Sequence, residues 1–238
     1  MAGSPAATEP WLRVSAPPGK ASALVLVLHG GQAHSTDPVR PWSLPAIRML
    51  AFTRSLSGAG REGLVIARLR YRVRGWNGQQ RSPVADARWA LRHLTDRYPD
   101  IPIGLIGHSM GGRTAMYVAD HPGVRSVVGL APWIEPGDPV AGLAHRSVLI
   151  MHGDRDRITD PARSADFAER ARPGAQQVTF VAVRGDGHAM LRRAPLWHEV
   201  ATGFTVGSLW NQSIMGTADA TGANVVRKAL AGQPSLVM

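Results

Sequence analysis

Six short apolar runs, each bounded by turn residues, punctuate the chain, with helical patterns between them. They occupy residues 24–28, 64–69, 103–106, 126–130, 148–151 and 178–183, and their near-continuous Val, Ile and Leu content fits strands buried on both faces. Between two of them, Val84, Ala87, Leu91 and Leu94 recur at helical spacing behind Ser82 and Pro83, a cap and a first helical residue. Asp160 and Pro161 open a second helix in the same way, running to about Arg172 ahead of Pro173 and Gly174. Strand alternating with helix requires crossover connections. The expected class is therefore α/β, a mostly parallel sheet with helices on both faces. In such sheets, ligands gather at the carboxyl ends of the strands.

The chain's 238 residues suffice for one large core, and neither a linker nor an internal repeat divides them. The expected organisation is an N-terminal extension over residues 1–22, a catalytic domain over 23–206 and a weakly structured tail over 207–238. That tail is rich in Gly, Ala, Ser and Thr, with one weakly amphipathic stretch from Thr221 to Leu230. No apolar run approaches the ~20 residues of a membrane span. The start, MAGSPAATEPWLRVSAPPGK, has no basic segment followed by an apolar one, and cysteine is absent; the cytoplasm is the expected compartment, with no disulfide and no thiolate metal site. The formal charge of +10 rests on arginine, since only Lys20 and Lys228 are lysines. The arginines are scattered and no nucleic-acid motif accompanies them, so neither nucleic acid nor membrane is an expected partner. One run stands out: Arg68, Arg70, Arg72 and Arg74 alternate in a stretch whose one acid is Glu62. It offers a pull on an anionic substrate, although a solvated loop is the plainer reading.

Chemistry concentrates at the strand ends. Gly107-His108-Ser109-Met110-Gly111 has the form G-x-S-x-G between a strand and a helix, where the turn is too tight for side chains two residues either side of the serine. A serine hydroxyl is a poor nucleophile until a base takes its proton, and the base must itself be oriented. Two later strand ends supply candidates: His152-Gly153-Asp154-Arg155-Asp156, and Gly185-Asp186-Gly187-His188. Serine, then acid, then histidine is the order this architecture uses. The first strand ends in His29-Gly30-Gly31-Gln32. A tetrahedral intermediate needs two amide donors, one from Met110 and one from either Gly31 or Gln32. His29 and His152 are read as loop-holding residues.

With LHGGQ, GHSMGG, HGDRD and GDGH in place, the chain resembles an α/β-hydrolase over about residues 23–204. The resemblance implies Ser109 as nucleophile, Asp156 as acid and His188 as base, with Gly31, Gln32 and Met110 around the oxyanion. It calls for no cofactor and no metal. HG-x-x-D spacing favours Asp156 over Asp154 as the acid. YRVRGWNG resembles the YRGxG loop of the lipase and serine-aminopeptidase-like branches, with Val73 where a glycine is common. Little sequence precedes Leu24, so one or both antiparallel strands at the start of such a sheet are expected to be short or missing. The segment between Leu130 and Val148 is too short for a large lid domain. The implied activity is a serine hydrolase cleaving a small carboxylic ester, with a thioester or amide as alternatives, and with Trp76, Trp133 and Met190 around the substrate. Acyl transfer through the same intermediate is a second reading, and a non-catalytic binding protein on the same fold a third.

Overall fold

The computed structural model describes residues 9–59, 62–210 and 220–238. Among these, eight strands form one sheet: β1 (Trp11–Ser15), β2 (Ala23–Leu28), β3 (Leu64–Arg70), β4 (Ile103–His108), β5 (Val124–Leu130), β6 (Ser147–Gly153), β7 (Gln177–Val183) and β8 (Ser235–Val237). Their spatial order is β1-β3-β2-β4-β5-β6-β7-β8, and every pairing is parallel except β1 with β3. The helices are α1 (Leu44–Gly58), α2 (Ser82–Arg97), α3 (Met110–Tyr117), α4 (Pro161–Ala171), α5 (Ala194–Trp210) and α6 (Ala220–Leu230).

Strand alternation divides the core in two. Leu24, Leu26 and Leu28 join the cluster built with α2, α3 and α4, whereas Ala23, Val25 and Val27 join the one built with α1, α5 and α6. Both faces of the central strands are therefore covered, and all six residues of β2 are buried. The α4 start matches its sequence signal: the Asp160 carboxylate accepts the Ala162 amide at 2.9 Å. The α2 start shifts by one residue, because Ser82 is already helical and Arg81, at φ 45°, takes the cap position.

The chain runs from β2 outward to β3, then crosses back over β2 to β4. Strand order thus reverses between β2 and β4, which opens a crevice at their carboxyl ends. Gly30 and Gly31 lie at one lip and Ser109 at the other. The β5–β6 connection holds one short turn, Ala141–Leu143, and no lid domain.

The structure corrects two sequence expectations. Part of the expected N-terminal extension is in the sheet, since Trp11–Ser15 pairs with β3; residues 1–8 lie outside the described residues. The expected weakly structured tail also packs, apart from residues 211–219, which likewise lie outside the described residues. β8 extends the sheet beside β7, and Leu236 and Met238 are buried in the α5–α6 cluster. Small residues hide this from a sequence reading. Gly203 of α5 leaves room for Val226 of α6, whose methyl would lie 2.8 Å from an added Cβ. The stripe that α6 buries, Val225, Val226 and Ala229, is accordingly short and made of small residues.

Candidate active site

Ser109 sits at the β4–α3 junction with φ 56° and ψ −120°, a conformation few side chains tolerate. The surrounding backbone enforces it. The Ser109 amide donates to the Leu130 carbonyl at 3.0 Å, and its carbonyl accepts from Arg113 and Trp133, each at 3.1 Å. The flanking glycines have the expected steric cause: a Cβ on Gly107 would strike the Gly111 backbone, and one on Gly111 would strike the Leu28 and His29 carbonyls. The Ser109 side chain makes no capping bond to α3, so its hydroxyl is left for other use.

Asp156 and His188 come together from the ends of β6 and β7. His188 Nδ1 lies 2.8 Å from Asp156 Oδ2, so Nδ1 carries the hydrogen and Nε2 is the bare, basic nitrogen. The Asp156 side chain is fully buried. Burial alone would raise its pKa, but hydrogen bonds from His152 and His188 and from the Thr159 and Ile158 amides outweigh that. Together they hold it well below the usual carboxylate range. Asp154 does something else: it is exposed, and its carboxylate accepts the Gly185 amide at 2.7 Å, tying the β6 loop to the β7 loop.

Sequence reasoning missed part of the support around this pair. His152 bridges Ser164 Oγ at 2.9 Å and Asp156 Oδ2 at 3.1 Å, while Thr159 Oγ1 lies 2.8 Å from Asp156 Oδ2 and 3.1 Å from His188 Nδ1. His108, next to the serine, packs its ring 4.8 Å from that of His188, and its Nε2 donates to the His188 carbonyl at 2.9 Å. The serine turn and the histidine loop are thereby tied together. For His152 a signal existed, because it falls four residues before Asp156. Nothing in the sequence links His108 to a carbonyl 80 positions away.

The backbone separates Gln32 from Gly31 as candidates. The Gln32 amide donates to the Arg74 carbonyl at 2.9 Å in an isolated bridge with Gly75, so it is not free to receive an oxyanion. This corrects Gln32 as a candidate donor. Gly31 lies against the Arg74 carbonyl and the end of the Met110 side chain, both of which an added Cβ would strike. Met110 opens α3, where its amide has no partner within the helix.

The expected substrate residues separate. Trp76 is 4% exposed and Met190 3%, so both are spent on packing rather than on lining an open site. Met190 joins the core cluster with Trp197 and Val183. Trp76 stacks on the Arg113 guanidinium at 4.2 Å, with half-buried Trp133 over the same group at 4.6 Å. Arg113 is in turn bonded to buried Asp138, at 2.7 Å. Trp133 alone of the three keeps an exposed side at the rim, with its Nε1 donating to Glu135 at 2.7 Å.

Residues 19–148 match the sequence model of a family described as "Serine aminopeptidase, S33". The matched stretch holds the glycine loop and Ser109 and stops short of Asp156 and His188. No curated protein sequence matches the chain. Among solved structures, Est1E from Butyrivibrio proteoclasticus with ferulic acid bound is similar at 15% identity, covering 84% of this chain and 96% of that one, with a TM-score of 0.65. A thermostable carboxyl esterase from Bacillus coagulans is similar at 13% identity, over 84% and 94%, with a TM-score of 0.63. A serine hydrolase without a lid from Xanthomonas campestris is similar at 20% identity, over 81% and 86%, with a TM-score of 0.57. At these identities the likeness is one of fold.

Proposed function

The chain belongs to the serine aminopeptidase S33 family of α/β-hydrolases, and from that premise we propose that it is a serine carboxylesterase acting on small esters through an acyl-enzyme. The observation that carries this reading is the 2.8 Å pairing of His188 Nδ1 with a buried, ionised Asp156, beside a serine held in a strained turn. Ser109 Oγ attacks the ester carbonyl as His188 Nε2 takes its proton. Asp156 holds the imidazole in that tautomer and stabilises its charged form. The Gly31 and Met110 amides receive the oxyanion. His188 then protonates the leaving alcohol, and water repeats the sequence to release the acid. Similarity to a carboxyl esterase and to a ferulic-acid-bound protein favours oxygen esters over amides. A small acyl group fits a site with no lid to bury a long chain.

The test is covalent labelling with a fluorophosphonate, with the modified peptide identified, alongside the Ser109→Ala variant. The label should fall on Ser109, and the alanine variant should lose p-nitrophenyl acetate hydrolysis by several orders of magnitude. Hydrolysis by Ser109→Ala near the wild-type rate would refute the assignment. Rapid labelling with slow hydrolysis and fast transfer to an added alcohol would move the reading to acyl transfer.

A further inference from the structure

On the α1 side of the sheet, β1 and β3 form a shelf that α1 only partly covers. A cavity of about 450 Å³ lies between them, lined by Trp11, Arg13, Arg68 and Arg70 from the strands and by Met49 and Leu50 from α1. It continues into a second of about 390 Å³ that shares Arg13, Leu50 and Arg68 and adds Arg54. Ala46, Leu50 and Arg54 fall four residues apart, so one stripe of α1, with Met49 and Thr53 beside it, lines both cavities. β1, β3 and α1 contain no Asp or Glu.

Arg13 and Arg68 are direct cross-strand partners, and Trp11 and Arg70 are the next pair on the same face. Like charges placed directly opposite oppose folding, and here no carboxylate relieves them. Among the described residues, none of Arg13, Arg54, Arg68 and Arg70 has an acidic group within 4.0 Å. Other arginines of this molecule behave differently: Arg88 meets Asp120 at 2.9 Å, Arg113 meets Asp138 at 2.7 Å and Arg172 meets Glu169 at 2.8 Å. Arg70 lies over the Trp11 ring, at 5.0 Å. Burial, and then Arg13 itself, push the Arg68 guanidinium below its ordinary value.

We propose that this groove, separate from the serine site, binds a phosphate-bearing anion, a phosphate ester with an apolar or aromatic body. Successive same-face positions on a strand lie ~7 Å apart and cross-strand partners ~5 Å apart, so Arg13, Arg68 and Arg70 converge their donor forks on one multi-oxygen anion. Guanidinium forks match phosphate oxygens in pairs, a geometry one carboxylate fills less completely. Trp11, Met49 and Leu50 supply an apolar wall for the rest of the ligand. The phosphate belongs either to a soluble ester or to a lipid headgroup, since both offer the same chemistry.

The experiment titrates the intact protein with pyrophosphate by calorimetry and thermal shift, at about 0.15 M salt so that diffuse attraction is screened. Arg68→Gln and Arg13→Gln should each weaken binding about tenfold. Without ligand, each variant should melt at the wild-type temperature or above it, because a repulsion is removed, and p-nitrophenyl acetate hydrolysis should be unchanged. Arg54→Gln, at an exposed helix position, serves if either strand variant fails to fold. Arg92→Gln, on the opposite face, changes net charge equally and should bind as wild type. Co-sedimentation with phosphatidic acid vesicles but not phosphatidylcholine vesicles, lost in the same groove variants, would assign the phosphate to a headgroup; pyrophosphate binding without vesicle binding would assign it to a soluble ester. No binding of either probe overturns the proposal, as does binding that survives the groove substitutions or weakens equally in Arg92→Gln.

Discussion

The centre of the sheet and its two flanks are built by different rules. At the carboxyl ends of β4, β6 and β7, fixed requirements act on single residues: a glycine where a Cβ would strike backbone, a strained serine, and a carboxylate accepting bonds from two histidines and two amides. At the flanks, β1 and the α6–β8 unit are held by ordinary packing and edge pairing, which many residues satisfy. A substitution at the centre should therefore act on chemistry, and one at a flank on stability.

The largest expected effect is at Asp156, the proposed acid. Asp156→Asn keeps the shape but favours the wrong imidazole tautomer, so kcat should fall up to about 10⁴-fold with the fold intact. Asp154→Asn, which only loosens the Gly185 contact, should cost far less. Steady-state kinetics of the two variants decide it, and a reversed ranking would move the acid to Asp154.

The centre should also dominate the response to acid. His29 follows β2, His108 ends β4, and both are buried; burial lowers His29 from 6.5 to about 4, with Arg70 adding to the effect, and lowers His108 to about 3, with His188 adding. Below pH 6.5 the unfolded chain takes up protons on these residues that the folded one refuses. Their contribution is therefore complete above that pH and drains away as pH falls toward the folded values. Each approaches about 1.4 kcal/mol per pH unit once the pH is a unit below 6.5, so the pair accounts for about 3 kcal/mol between pH 6.5 and 5. Urea denaturation at several pH values measures it, and His108→Gln should halve the slope. A flat profile over that range would mean both histidines protonate without cost.

The flank test is removal of residues 231–238. It takes away β8 with buried Leu236 and Met238, about 3 kcal/mol of apolar burial, and should lower Tm by about 10 °C while leaving kcat of the surviving folded protein little changed. A truncated protein as stable as the full chain would show that the strand adds nothing.

This division also accounts for what the sequence conveys. The six central strands are continuous apolar runs because both of their faces are buried, and the serine turn carries glycines that nothing else replaces. The four-residue spacing of His152 and Asp156 was legible too, and their side chains meet at 3.1 Å. The flanks were less so: after Trp11 the β1 strand alternates only from Leu12 to Ser15, and the stripe that α6 lays against Gly203 is short and small-sided, Val225, Val226 and Ala229. Trp76 and Met190 misled for a related reason. Large side chains near a catalytic edge read as a pocket, yet one stacks on Arg113 and the other fills the core.

The smallest expected effect concerns acyl length, and it probes the boundary between centre and flank. The loop from β5 to β6 is pinned to α3: the Glu135 amide and the Tyr117 hydroxyl converge on Asp138, which also holds Arg113, whose guanidinium lies between two tryptophans. This packing leaves half-buried Trp133 as the apolar surface offered at the rim, with no helical insertion above it. A longer acyl chain gains about 0.8 kcal/mol for each CH₂ that the protein removes from water. Carbons beyond the first few stay solvated here, so kcat/KM for p-nitrophenyl esters should peak between acetate and butyrate and stay flat or fall by octanoate, measured below the micellar limit. Trp133→Ala should cost a few-fold on butyrate and almost nothing on acetate. A steady climb through octanoate would require a buried channel, and the inference from the missing lid would fail.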